Sequence, residues 1–261
     1  MQQTTAPLFS LSRFVEDVST VAADAQGMRR VERLPDGKTS LVFRMFEGGR
    51  TGDVTVAGPR TRAHFKQATG FAQVVVVTFK PGWSAPVLGV AANELTDRFV
   101  YLEELWGRAG ADLCPQLLEA SSAREVLDRL TRAITLRATT AFEPASGQLA
   151  RRAVRLLEGG EVRVDRVASL LGITPRHLRR AFTASVGIGP KDFVRTLRLQ
   201  RAVRMAKTSS DWVRIAADAG YYDQAHLIAD FKELVGLTPG AFLKRARDPL
   251  EATIVALRPC A

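Results

Sequence analysis

The chain is poor in the residues that build covalent or metal-held scaffolds. Cysteine occurs twice in 261 residues, at Cys114 and Cys260, and neither stands in a metal-like pair. Both read as plain thiols, which fits a reduced, cytoplasmic setting. Histidine occurs three times, and His64 has no partner at metal-ligand spacing. No G-x-S-x-G, H-E-x-x-H, C-x-x-C, Walker or G-x-G-x-x-G run is present, so no familiar catalytic or cofactor constellation is offered. The longest apolar run, near Val74–Val77, is far too short to span a bilayer. MQQTTAPLFS lacks a basic region followed by an apolar stretch, so no secretory signal is expected. These absences point to a non-enzyme without metal, cofactor or membrane attachment.

Positive charge, by contrast, is abundant and unevenly spread. The chain has a formal net charge of +10 with 46% hydrophobic and 25% charged residues, the balance of a soluble globular protein. Residues 148–248 hold 19 Lys and Arg against 10 Asp and Glu, leaving 18 against 17 elsewhere. Two charge regimes suggest two jobs. A basic module invites phosphate, and its near-neutral companion does something else.

Texture along the chain agrees. Residues 8–25 read as an amphipathic helix. Val31–Leu34, Leu41–Phe46, Val54–Ala57 and Gln73–Phe79 are short β-branched or alternating runs divided by the turn signals PDGK, EGGRTGD and AGPR. Short helical pieces follow Pro81–Trp83, and Val126, Leu127, Leu130 and Ile134 mark a helix over 123–138. From Leu149 about seven short helices are expected, ended by glycine or opened by Thr-Pro, Asp or Gly-Pro. The fold class expected is α+β: a small antiparallel β-rich domain with helices at 1–140 and a linker at 141–148. An all-α domain at 149–248 and a tail at 249–261 complete it.

The all-α half repeats itself. Phe182, Gly187, Pro190 and Phe193 recur as Phe231, Gly236, Pro239 and Phe242, each 49 residues on. Upstream, Ala168 and Gly172 are matched by Ala216 and Gly220, and Leu178 by Leu227. A small residue allows close helix approach, a glycine supplies the positive-φ turn, and an i,i+4 apolar pair fixes the second helix inward. Each copy therefore reads as a helix-turn-helix. On a wheel of 100° per residue centred on Leu178, Arg176, Arg180 and Thr183 gather outward with Arg179 beside them. Arginines there suit bidentate contact with guanine or with phosphate. The second copy turns out Ala225, Ala229 and Lys232, with Ile228 beside them and Gln224 near the helix start, a surface suited to thymine methyls. His177 and His226 occupy equivalent places and read as packing or phosphate-contacting residues.

ASLLGITPRHLRRAFTASVGIGPKDFVRTLRLQRAV and IAADAGYYDQAHLIADFKELVGLTPGAFLKR resemble the DNA-binding domain of AraC/XylS-type bacterial transcription regulators over about 149–247. The resemblance implies two helix-turn-helix subdomains joined by one long helix, here near 190–206, with a recognition helix in each of two successive major grooves ~34 Å apart. Ile228 and Ala229 depart from the family, which has a polar residue and an arginine at those places. Asp230 further lowers the positive charge, so unequal halves are expected, the first supplying most base discrimination. PDGKTSLVFRMFEGG, GPRT and FKPGWSAPVLGVAANELTDRFVYLEELWG resemble the uncharacterised N-terminal domain of a branch of these regulators.

The front domain is accordingly expected to sense a small molecule, to associate with a second copy, or both. A cavity between the strands of 31–79 and the helices after 90 would use Phe43, Phe46, Phe71 and Trp83, as would a sealed apolar core. The partner expected is double-stranded DNA, with RNA polymerase, an unidentified effector and a homodimer partner as further candidates. Two other readings stand beside this one. In the first, the front domain is an enzyme or ligand carrier and DNA binding is secondary. In the second, the chain is a non-specific architectural DNA binder.

Overall fold

A computed structural model describes residues 11–22, 28–140, 145–160, 163–246 and 253–255. Their backbone contacts fall into two compact units. One takes in the described residues of Met1–Gly27, Lys38–Pro59 and Gly70–Ile188; the other takes in those of Met28–Gly37, Arg60–Thr69 and Gly189–Ala261. The division differs from the boundary expected at 141–148. Residues 141–144 lie outside the described part, and 145–148 open a helix instead of a linker. Short segments of the β-rich half belong with the last helices.

The first unit is built on an antiparallel sheet in the order β1-β6-β3-β4-β7: β1 (Val15–Ala22), β6 (Phe71–Phe79), β3 (Ser40–Phe46), β4 (Gly52–Ala57) and β7 (Phe99–Tyr101). Alternation explains its single apolar face. Leu41 and Phe43, Val54 and Val56, and Val75, Val77 and Phe79 are all buried. Against that face lie α1 (Ser84–Leu88), a 3-10 turn at Ala92–Leu95, α2 (Leu102–Trp106), α3 (Arg108–Leu118) and α4 (Ala123–Thr140). Val126, Leu130 and Ile134 of α4 meet Leu113 and Leu117 of α3 in the same core. Each fully buried Leu, Ile or Phe contributes roughly 1.5–3 kcal/mol.

β1 corrects the helix expected over 8–25, whose residues 8–10 and 23–25 lie outside the described part. VEDVSTVA pairs antiparallel with β6, Val18 opposite Val77 and Thr20 opposite Val75, and a bulge falls between Val15 and Asp17. The extra residue at the bulge lets Val15 and Val18, three apart, share the core face. That spacing imitates a helical stripe.

The first unit ends with α5 (Ala145–Glu158), α6 (Val164–Leu170) and α7 (Pro175–Val186). The second unit holds α8 (Pro190–Met205), α9 (Trp212–Ala219), α10 (Gln224–Val235) and α11 (Pro239–Ala246). Its small sheet, order β5-β2-β8, joins β5 (His64–Thr69), β2 (Met28–Arg33) and β8 (Thr253–Val255). The seven C-terminal helices expected are all present among the described residues. Leu34, Leu199, Val203, Ile215, Leu227, Phe231 and Phe242 form the second core, with Phe65 and Trp212 packed against it. The amide of Ala63 donates to the carbonyl of Leu234 at 2.7 Å, which fastens the β5 end to the last helices of this unit. Among the described residues no helix is long and apolar enough to cross a membrane.

Candidate nucleic-acid interface

In the first unit α6 and α7 are joined at Gly172, whose φ of 68° makes the turn. Thr174 caps α7: its side-chain oxygen accepts from the amide of His177 at 3.2 Å, and Pro175 follows at the first helical position. A capped start specifies where the helix, and so its exposed face, begins. Leu178, Ala181, Phe182, Ser185 and Val186 turn inward. Arg176, His177, Arg179 and Arg180 are exposed on the other side, and Thr183 is half-buried. The three arginines form no ion pair with any described residue. Their guanidinium groups are free to meet phosphate oxygens or the O6 and N7 of guanine.

The second unit builds the same motif from different residues. Gly220, φ 91°, makes the turn, and the Asp223 carboxylate accepts from the amide of His226 at 2.7 Å to cap α10. Ala225, His226, Ala229 and Lys232 are exposed. Gln224 is half-buried, and Ile228 is half-buried and packs against the second core, so only part of its side chain is available to a thymine methyl. The His226 ring stands edge-on to Tyr221 at 5.2 Å while the residue remains exposed.

Asp230 is where geometry alters the charge reading. Its carboxylate is buried and accepts from Nε and Nη2 of Arg195 on α8, at 3.1 and 2.6 Å. Arg195 also reaches Glu233 at 2.6 Å, and these two carboxylates hold its pKa above the ordinary value. The negative charge expected to weaken the second reading face is therefore turned inward and neutralised. The exposed side of α10 instead presents the small side chains of Ala225 and Ala229.

The four aromatic residues expected around an effector go to three places. Phe43 is fully enclosed in the first core. Phe46 and Phe71 face one another across paired strands at 5.5 Å, with the Arg44 guanidinium 5.6 Å from the Phe71 ring. Trp83 contacts Phe14 at 5.2 Å and lies under Arg151 of α5 at 3.8 Å. Leu41, Phe43, Val77, Leu88, Leu117 and Leu130 belong to one buried core shared by the strands and the helices. Two open clefts lie in the first unit, and none of the four residues lines either. One, about 650 Å³, runs between α3 and α4 past Leu113, Gln116 and Arg129. The other, about 850 Å³, is bordered by Val90, Arg137, Ser146 and Ala184. No group of three or more His, Cys, Asp or Glu side chains able to hold a metal occurs among the described residues.

Sequence reasoning missed Arg151 and Arg195, whose partners are distant in the chain. Arg151 is buried, donates to the carbonyl of Gly82 at 3.2 Å, and has its pKa lowered to about 10 by burial and by the nearby Arg13 and Arg155. It stays a cation at neutral pH.

Comparison with known proteins gives two separate matches along the chain. A family model described as a helix-turn-helix domain (HTH_18) matches residues 167–245, and one described as a domain of unknown function (DUF6597) matches residues 3–101. The HTH-type transcriptional regulator GlxA of Rhizobium meliloti is 35% identical over 98 residues, 35% of this chain and 30% of that protein. The HTH-type transcriptional regulator MtrA of Neisseria gonorrhoeae is 28% identical over 85 residues, 32% of this chain and 28% of that protein. The chain thus spans less than a third of the length of either regulator. A solved transcriptional regulator from Chromobacterium violaceum, with an AraC-type DNA-binding domain, overlaps 40% of this chain and 96% of its own at 25% identity, with a TM-score of 0.37.

Proposed function

We propose, from the premise that the chain joins a DUF6597 domain to an AraC-type helix-turn-helix domain, that it is a sequence-specific transcription regulator. Its two recognition helices, α7 and α10, read successive major grooves of double-stranded DNA. The observation that carries this reading is the set of three exposed arginines, Arg176, Arg179 and Arg180, on a capped helix of the required motif. Arg and Lys of the basic half supply the salt-dependent, sequence-independent part of the affinity by neutralising phosphates. The base-edge contacts supply discrimination.

The reading surface is unequal between the two motifs. Arg176, His177, Arg179, Arg180 and Thr183 carry most of the base discrimination. Gln224, Ala225, Ile228, Ala229 and Lys232 set the position of the domain on the duplex and add apolar contact to thymine. A non-specific architectural role is the alternative, and it would show equal affinity for random and selected duplexes. The front domain supplies control, by taking up a small molecule or by association of two chains, and RNA polymerase is a partner of the DNA-bound form.

Selection of bound duplexes from a random pool by the full chain tests the proposal. A long, asymmetric consensus is expected, strongest in the half bound by α7. Recovery of no consensus, or of one confined to the half bound by α10, would overturn it. A shift of the consensus or yield on adding cell metabolites would establish control through the front domain.

A further inference from the structure

The recognition helix α7 ends where the front domain grips it. Gly187, the C-cap, has φ 93°, and a Cβ there would stand 2.5 Å from Pro59 Cγ, 3.0 Å from the Ala92 carbonyl and 3.1 Å from Thr96 Oγ1. The Thr96 hydroxyl donates to the Gly187 carbonyl at 2.7 Å. This matters because a helix C-terminus leaves carbonyls without partners, and here one is met by a side chain 91 residues earlier.

The gripping residues are themselves strapped together. The Asp97 amide donates to Pro59 at 2.8 Å, and the Gly58 amide donates to Arg98 at 3.0 Å. Asp97, φ 59°, is the one non-glycine residue with positive φ among those described, immediately after Thr96. Backbone in that region is retained when its surroundings over-determine it. A second fastening lies on α5, which packs against α7. There Arg151 donates to the Gly82 carbonyl and lies over the Trp83 ring. At Gly236, the equivalent C-cap of the second motif, a Cβ would meet nothing within 4 Å among the described residues. The grip is therefore a feature of one motif and not of the repeat.

We infer that Thr96 is a positioning residue for DNA reading: through its bond to Gly187 the front domain fixes the orientation in which α7 presents its arginines. Arg151 supports the same orientation through α5. The front domain is then part of the reading head for the first half-site, and any signal that disturbs the 92–97 turn changes recognition directly. This inference rests on the DNA-reading function proposed above.

The test uses the full chain as wild type, Thr96→Val and Thr96→Ser, with duplexes altered in one half-site or the other. Thr96→Val is expected to weaken binding roughly threefold to tenfold where the first half-site is intact, the worth of one hydrogen bond. It should have no effect where that half-site is already scrambled. Thr96→Ser, which keeps the hydroxyl, should bind as wild type does. Hydrogen exchange of the amides at 184–188 in the free protein gives a readout independent of DNA, and is expected to be faster in Thr96→Val alone. Equal affinity of wild type and Thr96→Val, equal weakening on every duplex, or unchanged exchange would each overturn the inference. Wild type that binds every duplex alike would instead remove the proposed function, and the exchange measurement would still decide whether Thr96 holds the helix.

Discussion

Gly187 and Gly236 occupy the same place in the repeated motif, and replacing each by alanine separates backbone strain from contact with the front domain. Both are left-handed, at φ 93° and 76°, so each alanine carries the same conformational penalty, ~1–2 kcal/mol. At Gly236 nothing described lies within 4 Å of the new methyl, and the penalty ends there. At Gly187 the methyl would lie 2.5 Å from Pro59 Cγ and 3.0 Å from a backbone carbonyl. Relief requires movement of the 58–59 or 92–96 backbone, and overpacking of that kind adds ~1–3 kcal/mol. Gly187→Ala should therefore destabilise its unit by ~2–5 kcal/mol, while Gly236→Ala stays near the strain value. Urea denaturation gives the size of each change, and hydrogen exchange assigns it to a unit. Equal losses for the two variants would refute the reasoning, because they would mean that the contacts around Gly187 carry no weight.

Two further perturbations have outcomes set by charge. Arg195→Met leaves the buried Asp230 carboxylate without its cation and should cost ~3–5 kcal/mol, while adding Asp230→Asn should restore part of that loss; denaturant midpoints of the single and double variants check it. Glu125 has its pKa lowered from 4.5 to about 2 by the amide and hydroxyl of Ser121 and by Arg129. Its folded value lies below its unfolded one, so the stabilisation is present above pH 4.5 and disappears as pH falls through about 2. Midpoints of wild type and Glu125→Gln should differ above that window and converge below it.

The helical half was the more legible because its boundaries are local. Thr174–Pro175 and Gly187 specify the limits of α7 wherever they occur, and the 49-residue repeat then identifies α10. The front sheet was readable wherever strands alternate cleanly, as in Leu41–Phe46 and Gln73–Phe79. It was not readable at β1, where the bulge gives a strand the spacing of a helix. Asp230 lies three residues after Leu227 and one before Phe231, so its inward direction was available from the wheel; its partner Arg195, 35 residues away, was not. Phe46, Phe71 and Trp83 share composition and burial tendency, and nothing local separates a core ring from one lying under an arginine. The inclusion of β2 and β5 in the second unit depends on long-range packing of Leu34 and Phe65, which carries no local signal.

The most direct measurement is an anisotropy titration of wild type and Arg180→Ala against the selected duplex and against duplexes changed at one base pair each. Arg180→Ala is expected to lose ~1–3 kcal/mol on the selected duplex and to relax discrimination at a single position in the half bound by α7. Ile228→Ala should lose less. Equal weakening on all duplexes, or a larger loss from Ile228→Ala than from Arg180→Ala, would contradict it.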